Sequence, residues 1–242
     1  MSQVDQGGPV GGEPEPDYPY SAASDMSGGP GGSGDISAIL ATNLTSIEAE
    51  AIRGLRTRVM AQHVREGRRA LAICTPHADA GCTFVASNLA LAVAQIGVKT
   101  VLVDADLRTP SVAGIFGLPP HAPGLADYLA DTSLRPEEIV NSEVAPNLSV
   151  LASGSPHSNP QELLSGDRFR TIVNELLREF ELTIFDTTPA NSCTDAQRVA
   201  TVAGYSLIVA RKHKTFVGDV STLSKLLRAD KSVIVGTVLN DY

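Results

Sequence analysis

Ala70-Leu-Ala-Ile-Cys-Thr-Pro-His-Ala-Asp-Ala-Gly-Cys-Thr-Phe-Val-Ala-Ser-Asn-Leu-Ala-Leu-Ala-Val-Ala-Gln-Ile96 changes its hydrophobic pattern in the middle, and that change decides the fold. Residues 70–75 are a short continuous apolar run, as expected of a strand buried on both faces. From about Thr83 to Ile96 the pattern predicts a helix. Between them lie Pro76, Asp79 and Gly81, which suit a loop rather than either element.

The same alternation continues outward. Thr100–Asp104 predicts a second strand, and runs at 148–152, 182–186, 206–210 and 232–239 predict four more. Helical patterns at 168–180, 194–203 and 216–229 separate most of them. Continuous apolar strands alternating with helices imply an α/β fold, a doubly wound, mostly parallel sheet flanked by helices on both faces. Ligands of such sheets bind at the carboxyl ends of the strands, where Asp104 and Asp186 lie. Upstream, Ser46 is placed to cap a helix over 46–64, with Ile47, Ile52, Leu55 and Val59 at helical spacing and Glu48 and Glu50 in its first turn.

Composition divides the chain. Residues 1–35 hold six acids and no Lys or Arg, and nine Gly and five Pro fall within 1–34. Such a segment buries too little apolar surface to offset chain entropy, so 1–35 is expected to be a disordered acidic tail and 36–242 one folded domain. Tyr18 and Tyr20 in that tail are expected to be solvated. The remainder carries 19 bases and 21 acids, a balance that gives no argument for nucleic-acid binding. Three cysteines, Cys74, Cys82 and Cys193, lack metal-ligand spacing and favour a reducing cytosol. No stretch approaches the roughly 20 apolar residues of a membrane span, so work at a membrane would require a partner to bring the chain there.

The loop after the first strand invites comparison with the phosphate-binding template G-x-x-x-x-G-K-[ST], which also stands between strand and helix. Laid on it, Pro76 takes the first glycine position, Gly81 the second, Cys82 the lysine position and Thr83 the magnesium-binding hydroxyl. The lysine charge is absent and Asp79 adds a carboxylate. Loss of one buried charge partner costs roughly 2–5 kcal/mol in comparable contacts. His77 and Arg108 are the nearest candidates to replace it, and neither has lysine geometry. Cys82 opens a helix, a position that favours thiolate, so an activated thiol is the alternative to simple loss of lysine.

Farther along, Ser87-Asn-Leu-Ala-Leu-Ala-Val-Ala-Gln-Ile-Gly97 is followed by Lys99-Thr-Val-Leu-Val-Asp-Ala-Asp-Leu-Arg-Thr-Pro110. Then come Gly124-Leu-Ala-Asp-Tyr-Leu129, Ala152-Ser-Gly-Ser-Pro156, Asn159-Pro-Gln-Glu-Leu-Leu164, Phe185-Asp-Thr-Thr-Pro189, Thr194-Asp-Ala-Gln197 and Val238-Leu-Asn240. In this order and spacing the blocks resemble the bacterial tyrosine kinase family that accompanies polysaccharide co-polymerases, a P-loop NTPase-like fold, from about residue 46 to the end. The resemblance implies ATP and Mg as cofactors. It implies that Asp104 and Asp106 organise magnesium and deprotonate an acceptor tyrosine, that Thr83 and Asp186 serve the metal, and that Asn240 lies near the adenine. It further implies that Glu50, Arg53 and Arg56, an E-x-x-R-x-x-R motif on one helical face, make subunit contacts in a homo-oligomer.

The expectation is therefore a pseudokinase: a regulatory or scaffolding protein of an envelope exopolysaccharide or capsule system. It would be cytoplasmic and held peripherally at the inner membrane by a co-polymerase or chain-length protein. Active members of the family commonly carry a tyrosine-rich tail, whereas this chain closes on Asp241-Tyr242, which agrees with that expectation. The alternatives are an active ATP-dependent tyrosine autokinase of the same system and a chromosome- or division-positioning ATPase, whose relatives also need a loop lysine.

Overall fold

Buried strand cores generate a seven-stranded sheet of order β3-β4-β2-β5-β1-β6-β7 in the computed structural model, which describes residues 37–120, 122–191 and 193–241. The acidic tail expected at 1–35 lies outside the described residues. The strands are β1 (Ala70–Cys74), β2 (Thr100–Asp104), β3 (Val140–Ala145), β4 (Leu148–Leu151), β5 (Leu182–Asp186), β6 (Tyr205–Arg211) and β7 (Val233–Asn240). All pair in parallel except β3, which runs antiparallel to β4 at one edge.

The helices are α1 (Ile39–Thr42), α2 (Ile47–Gln62), α3 (Cys82–Ala94), α4 (Val112–Ile115), α5 (Leu125–Ala130), α6 (Pro160–Ser165), α7 (Asp167–Glu179), α8 (Asp195–Ala203) and α9 (Val217–Ala229). Successive strand residues point to opposite faces, and both faces are covered, which is why the strands read as unbroken apolar runs. Leu71, Ile73, Leu102 and Ile184 enter a layer with α2 and α3. Ala72, Val103 and Phe185 enter the opposite layer with Phe169 and Ile172 of α7 and Val199 of α8. Phe169 meets Phe185 edge-on, with ring centroids 6.4 Å apart. Each of the buried Val, Leu, Ile and Phe side chains among them contributes about 1.5–3 kcal/mol through removal from water.

Helix α3 is buried around most of its circumference, as its Ala- and Leu-rich sequence requires. Helix α7 buries only Phe169, Ile172, Val173 and Leu176, one stripe at helical spacing. Helix α2 starts where Ser46 predicts, its hydroxyl accepting from Ala49 N at 3.1 Å, and gives way to a short 3-10 turn at Val64–Glu66. The six strands expected from sequence are present, and β3 is an addition. Its half-exposed Val140-Asn-Ser-Glu-Val-Ala145 carries no continuous apolar signal, and Glu143 within it has φ 54°. The four-residue α1, anchored by buried Leu40, is likewise an addition.

Candidate functional site

The carboxyl ends of β1, β2 and β5, three adjacent strands, meet the start of α3. Asp104 and Asp186 are partners in the β2–β5 register, so two buried carboxylates stand side by side at the strand ends. Asp104 is held by backbone donors: its Oδ1 accepts from Asp106 N at 3.2 Å, and its Oδ2 accepts from Ser111 N at 3.2 Å and Val112 N at 3.1 Å. Burial, with the Asp186 charge adding to it, still pushes the Asp104 carboxyl up to about 8.

Asp186 differs. Neither of its oxygens has a hydrogen-bond partner at full geometry among the described residues. Burial raises its carboxyl to about 6, restrained by the approach of the Thr83 hydroxyl and the Cys82 thiol. A buried carboxylate with no donor at full geometry is a costly arrangement that a cation would relieve. Asp106 is occupied locally. Its Oδ1 accepts from Arg108 N at 3.0 Å and Thr109 N at 2.9 Å, and its Oδ2 from the Thr109 hydroxyl at 2.9 Å.

The loop between β1 and α3 borders a cavity of about 250 Å³ lined by Thr75, His77, Asp79, Gly81, Thr83, Asp106 and Thr187, among others. Asp79 adopts φ 59° and Gly81 φ 84°, both left-handed. Gly81 is required twice over: its conformation disfavours a side chain, and a β-carbon there would collide with the Asn240 amide. Asn240 Nδ2 donates to Ala80 O at 3.0 Å, so the residue expected near an adenine is bound to the loop backbone itself.

Cys82 turns inward. Its Sγ donates to Ile73 O at 3.2 Å, and burial, then the Asp186 charge, pushes the thiol well up from its ordinary value. The activated thiol considered from sequence is therefore contradicted: desolvation outweighs the helix N-terminus. The two cations considered as replacements for lysine are engaged elsewhere. His77 Nε2 lies 2.8 Å from Asp219 Oδ2 while the Asn191 amide donates to His77 Nδ1 at 2.9 Å. Arg108 Nε donates to buried Asp195 Oδ2 at 2.7 Å. Arg211 Nη1 donates to Asp79 O at 2.7 Å, a contact with the loop backbone. Among the described residues lining the cavity there is no Lys or Arg.

Two halves thus behave oppositely toward magnesium nucleotide. The carboxylate half, with Asp186 lacking donors and Thr83 beside it, fits a cation. No three His, Cys, Asp or Glu side chains converge as a metal cage among the described residues, which is compatible with Mg²⁺, an ion that keeps much of its water. The loop half fits a polyphosphate poorly, because backbone N–H groups act there without an ammonium and beside Asp79. Sequence reasoning missed Asp219, Asn191 and Arg211, each of which reaches the loop from a distant segment.

The Glu50, Arg53 and Arg56 stripe is engaged within the chain. Arg53 Nη1 donates to Glu50 Oε2 at 3.2 Å, Arg53 Nη2 donates to Leu44 O at 2.6 Å, and Arg56 Nη1 donates to Ala92 O at 3.4 Å near the end of α3. Gly124 and Gly154 meet backbone to backbone, too close for a β-carbon on Gly124. Asp127 Oδ2 accepts from Gly124 N at 2.9 Å and Ser155 N at 3.0 Å, tying two of the sequence blocks together.

A parallel sheet whose first strand feeds a glycine-containing loop and a buried helix, with acids at neighbouring strand ends, defines a P-loop NTPase-like α/β protein. Solved structures agree: the cell-division ATPase MinD of Pyrococcus furiosus superposes with a TM-score of 0.64 over 72% of this chain and 73% of its own, at 23% identity, a likeness of fold. The kinase domain of the Escherichia coli tyrosine kinase Etk superposes with a TM-score of 0.78 over 84% of this chain and 78% of its own, at 31% identity. In sequence, the chain is 32% identical to CapB of Staphylococcus aureus over 192 residues, 79% of this chain and 83% of CapB. It is 32% identical to the tyrosine-protein kinase YwqD of Bacillus subtilis over 202 residues, 84% of each. No protein-family profile matches it. The chain belongs to the bacterial tyrosine kinase family. Against full-length Etk of Escherichia coli the match covers 26% of the relative, so the chain spans about a quarter of the length of such larger members.

Proposed function

We propose that this protein is a pseudokinase that scaffolds or regulates an envelope exopolysaccharide or capsule assembly system, in company with an inner-membrane co-polymerase or chain-length protein. Family membership supports the setting, and a Klebsiella pneumoniae relative is named for a cps region. One observation carries the catalytic half of the proposal: the side chain at the lysine position is Cys82, which faces the sheet and bonds Ile73 O, while His77 and Arg108 are held by Asp219 and Asp195. Phosphoryl transfer depends almost wholly on positioning and charge stabilisation, and that loop supplies neither. The Glu50, Arg53 and Arg56 stripe of α2 is proposed to serve homo-oligomer contacts. Among the described residues no helix is long and apolar enough to cross a membrane, and attachment at the inner membrane is proposed to come through the partner.

The unpartnered oxygens of Asp186 favour a second reading, an active autokinase that retains Mg-ATP between Thr83, Asp104 and Asp186. Calorimetric titration with millimolar Mg-ATP, paired with phosphotyrosine detection, separates the two. The pseudokinase reading expects no saturable heat and no phosphotyrosine. Saturable binding with phosphotyrosine that disappears in Asp104→Asn overturns it. Co-purification of a chain-length-type co-polymerase from membranes tests the setting independently.

A further inference from the structure

The cavity beside the phosphate loop carries the charge of a cation site. The charged side chains of its lining are Asp79 and Asp106, and next to its Thr83 stands Asp186, 1% exposed and with no donor at full geometry. His77, the one lining residue able to carry positive charge, is held by Asp219 and Asn191. Arg108 and Arg211 stand outside the lining. The first is paired with Asp195, and the second donates to the Asp79 carbonyl without an ion pair to any carboxylate among the described residues. The N–H groups that open α3 are the counterweight, equivalent to roughly half a positive charge.

The hydroxyls of the lining have committed their hydrogens elsewhere. Thr75 donates to His77 O at 3.1 Å, Thr109 to Asp106 Oδ2 at 2.9 Å and Thr187 to Ile73 O at 2.8 Å. The Thr83 hydroxyl accepts from Ser111 Oγ at 3.3 Å and approaches Asp186. A threonine hydroxyl has one donor and two lone pairs, so what each still offers is acceptor capacity. Asp79 adds most. Its carboxylate accepts no hydrogen bond among the described residues, on a loop fixed by φ 59° and by the Arg211 contact to its carbonyl. Carboxylates and spent hydroxyls together call for a ligand that is positive and donates hydrogen bonds in several directions.

We propose that this cavity holds a hydrated magnesium ion without nucleotide, and that Asp79 takes over from phosphate oxygens as the anionic contact supplied at the loop. Magnesium gives up its waters reluctantly, and those waters are the donors that the lining lacks. An octahedral shell of about six waters occupies about 180 Å³ at roughly 30 Å³ each, within the cavity's 250 Å³. A hydrated ion also needs no cage of direct ligands, and no three acidic, His or Cys side chains converge as one among the described residues. Through its waters the ion joins Asp79 and Thr83 to Asp106, and so ties the loop after β1 to the segment that follows β2. This deepens the pseudokinase reading by naming what the altered loop binds, and rests on it only in taking no triphosphate to supply the oxygens.

The test titrates the full chain, in physiological salt and without nucleotide, with magnesium chloride and separately with hexaamminecobalt(III), whose non-exchanging ammines mimic the donors of hydrated magnesium. Both ions are expected to give saturable shifts of the same amide signals, those of Asp79, Thr83 and Asp106, and to compete with each other. Asp79→Asn keeps a residue that tolerates the left-handed conformation, so its unfolding midpoint in chelator is expected to match wild type while its affinity for both ions falls about tenfold. ATP added to protein already equilibrated with magnesium is expected to leave ion binding unchanged. No saturable binding of either ion, equal binding by Asp79→Asn and wild type, or magnesium binding that hexaamminecobalt(III) neither reproduces nor displaces each overturns the proposal and leaves the pseudokinase reading standing. Magnesium binding that requires ATP overturns both.

Discussion

Replacing Asp186 by Asn is expected to stabilise the metal-free protein at neutral pH. The carboxyl is 1% exposed, neither oxygen has a hydrogen-bond partner at full geometry, and burial raises its pKa to about 6 against an ordinary 3.8 despite the approach of the Thr83 hydroxyl and the Cys82 thiol. At about 1.4 kcal/mol for each tenfold in proton affinity, the ionised group costs roughly 3 kcal/mol at pH 7. An amide has nearly the same volume and no charge to desolvate. Its own unmet donors offset a third of that gain at the usual cost of about 1 kcal/mol, leaving about 2 kcal/mol. For a domain of this size that is a rise of roughly 4–8 °C in midpoint.

The direction of the pH dependence follows from the raised value. The folded state keeps a proton on Asp186 that the unfolded chain gives up between 3.8 and about 6, so wild-type stability falls as pH rises through that window. The advantage of Asp186→Asn is therefore small near pH 4 and complete above about pH 7. Asp104, raised to about 8, extends the decline of both proteins to higher pH and is eased in the variant, because the Asp186 charge is one of its causes. Urea unfolding in chelator at several pH values from 4 to 8 measures this directly. A variant less stable than wild type at pH 7, or an advantage that does not change with pH, refutes the reasoning. With millimolar Mg²⁺ in place of chelator, wild type is expected to gain stability and Asp186→Asn to gain none.

Gly81→Ala meets a left-handed φ of 84° and the Asn240 amide, and is expected to cost about 2 kcal/mol and free the Ala80 carbonyl, read as faster amide exchange across the loop. Burial lowers the pKa of His63 below its ordinary 6.5, and its Nε2 faces Ala70 O at 2.9 Å, so the fold holds it neutral. Below pH 6.5 the unfolded chain binds a proton that the fold resists, and stability falls with pH; His63→Gln is expected to flatten that part of the profile in urea melts. Phe169→Ala removes a fully buried ring packed on Phe185 and is expected to cost about 3–5 kcal/mol in the same assay.

How far the sequence reveals this protein depends on how local the determining physics is. The central strands are legible because burial on both faces demands unbroken apolar runs, and α7 because only one stripe of it is buried. Strand β3 is illegible for the converse reason, since an antiparallel edge with half-exposed residues needs no pattern. The acids at 104 and 186 could be placed at strand ends from sequence, and their side-by-side register is a consequence of strand order, which puts β5 between β1 and β2. What sequence could not supply is the fate of the loop's charges. His77 and Asp219 are 142 residues apart, Arg108 and Asp195 are 87 apart, and no local rule joins either pair. Those pairings carry the functional argument further than the missing lysine does. A loop that had lost its lysine but kept a free guanidinium beside it could recruit a substitute by a change of rotamer. Here His77 and Arg108 would each first have to leave a carboxylate, and the one that Arg108 would leave is buried, whereas Arg211 is held at the loop by the Asp79 carbonyl alone. On the pseudokinase reading, the packing around the phosphate loop adds to the loss of the ammonium at position 82.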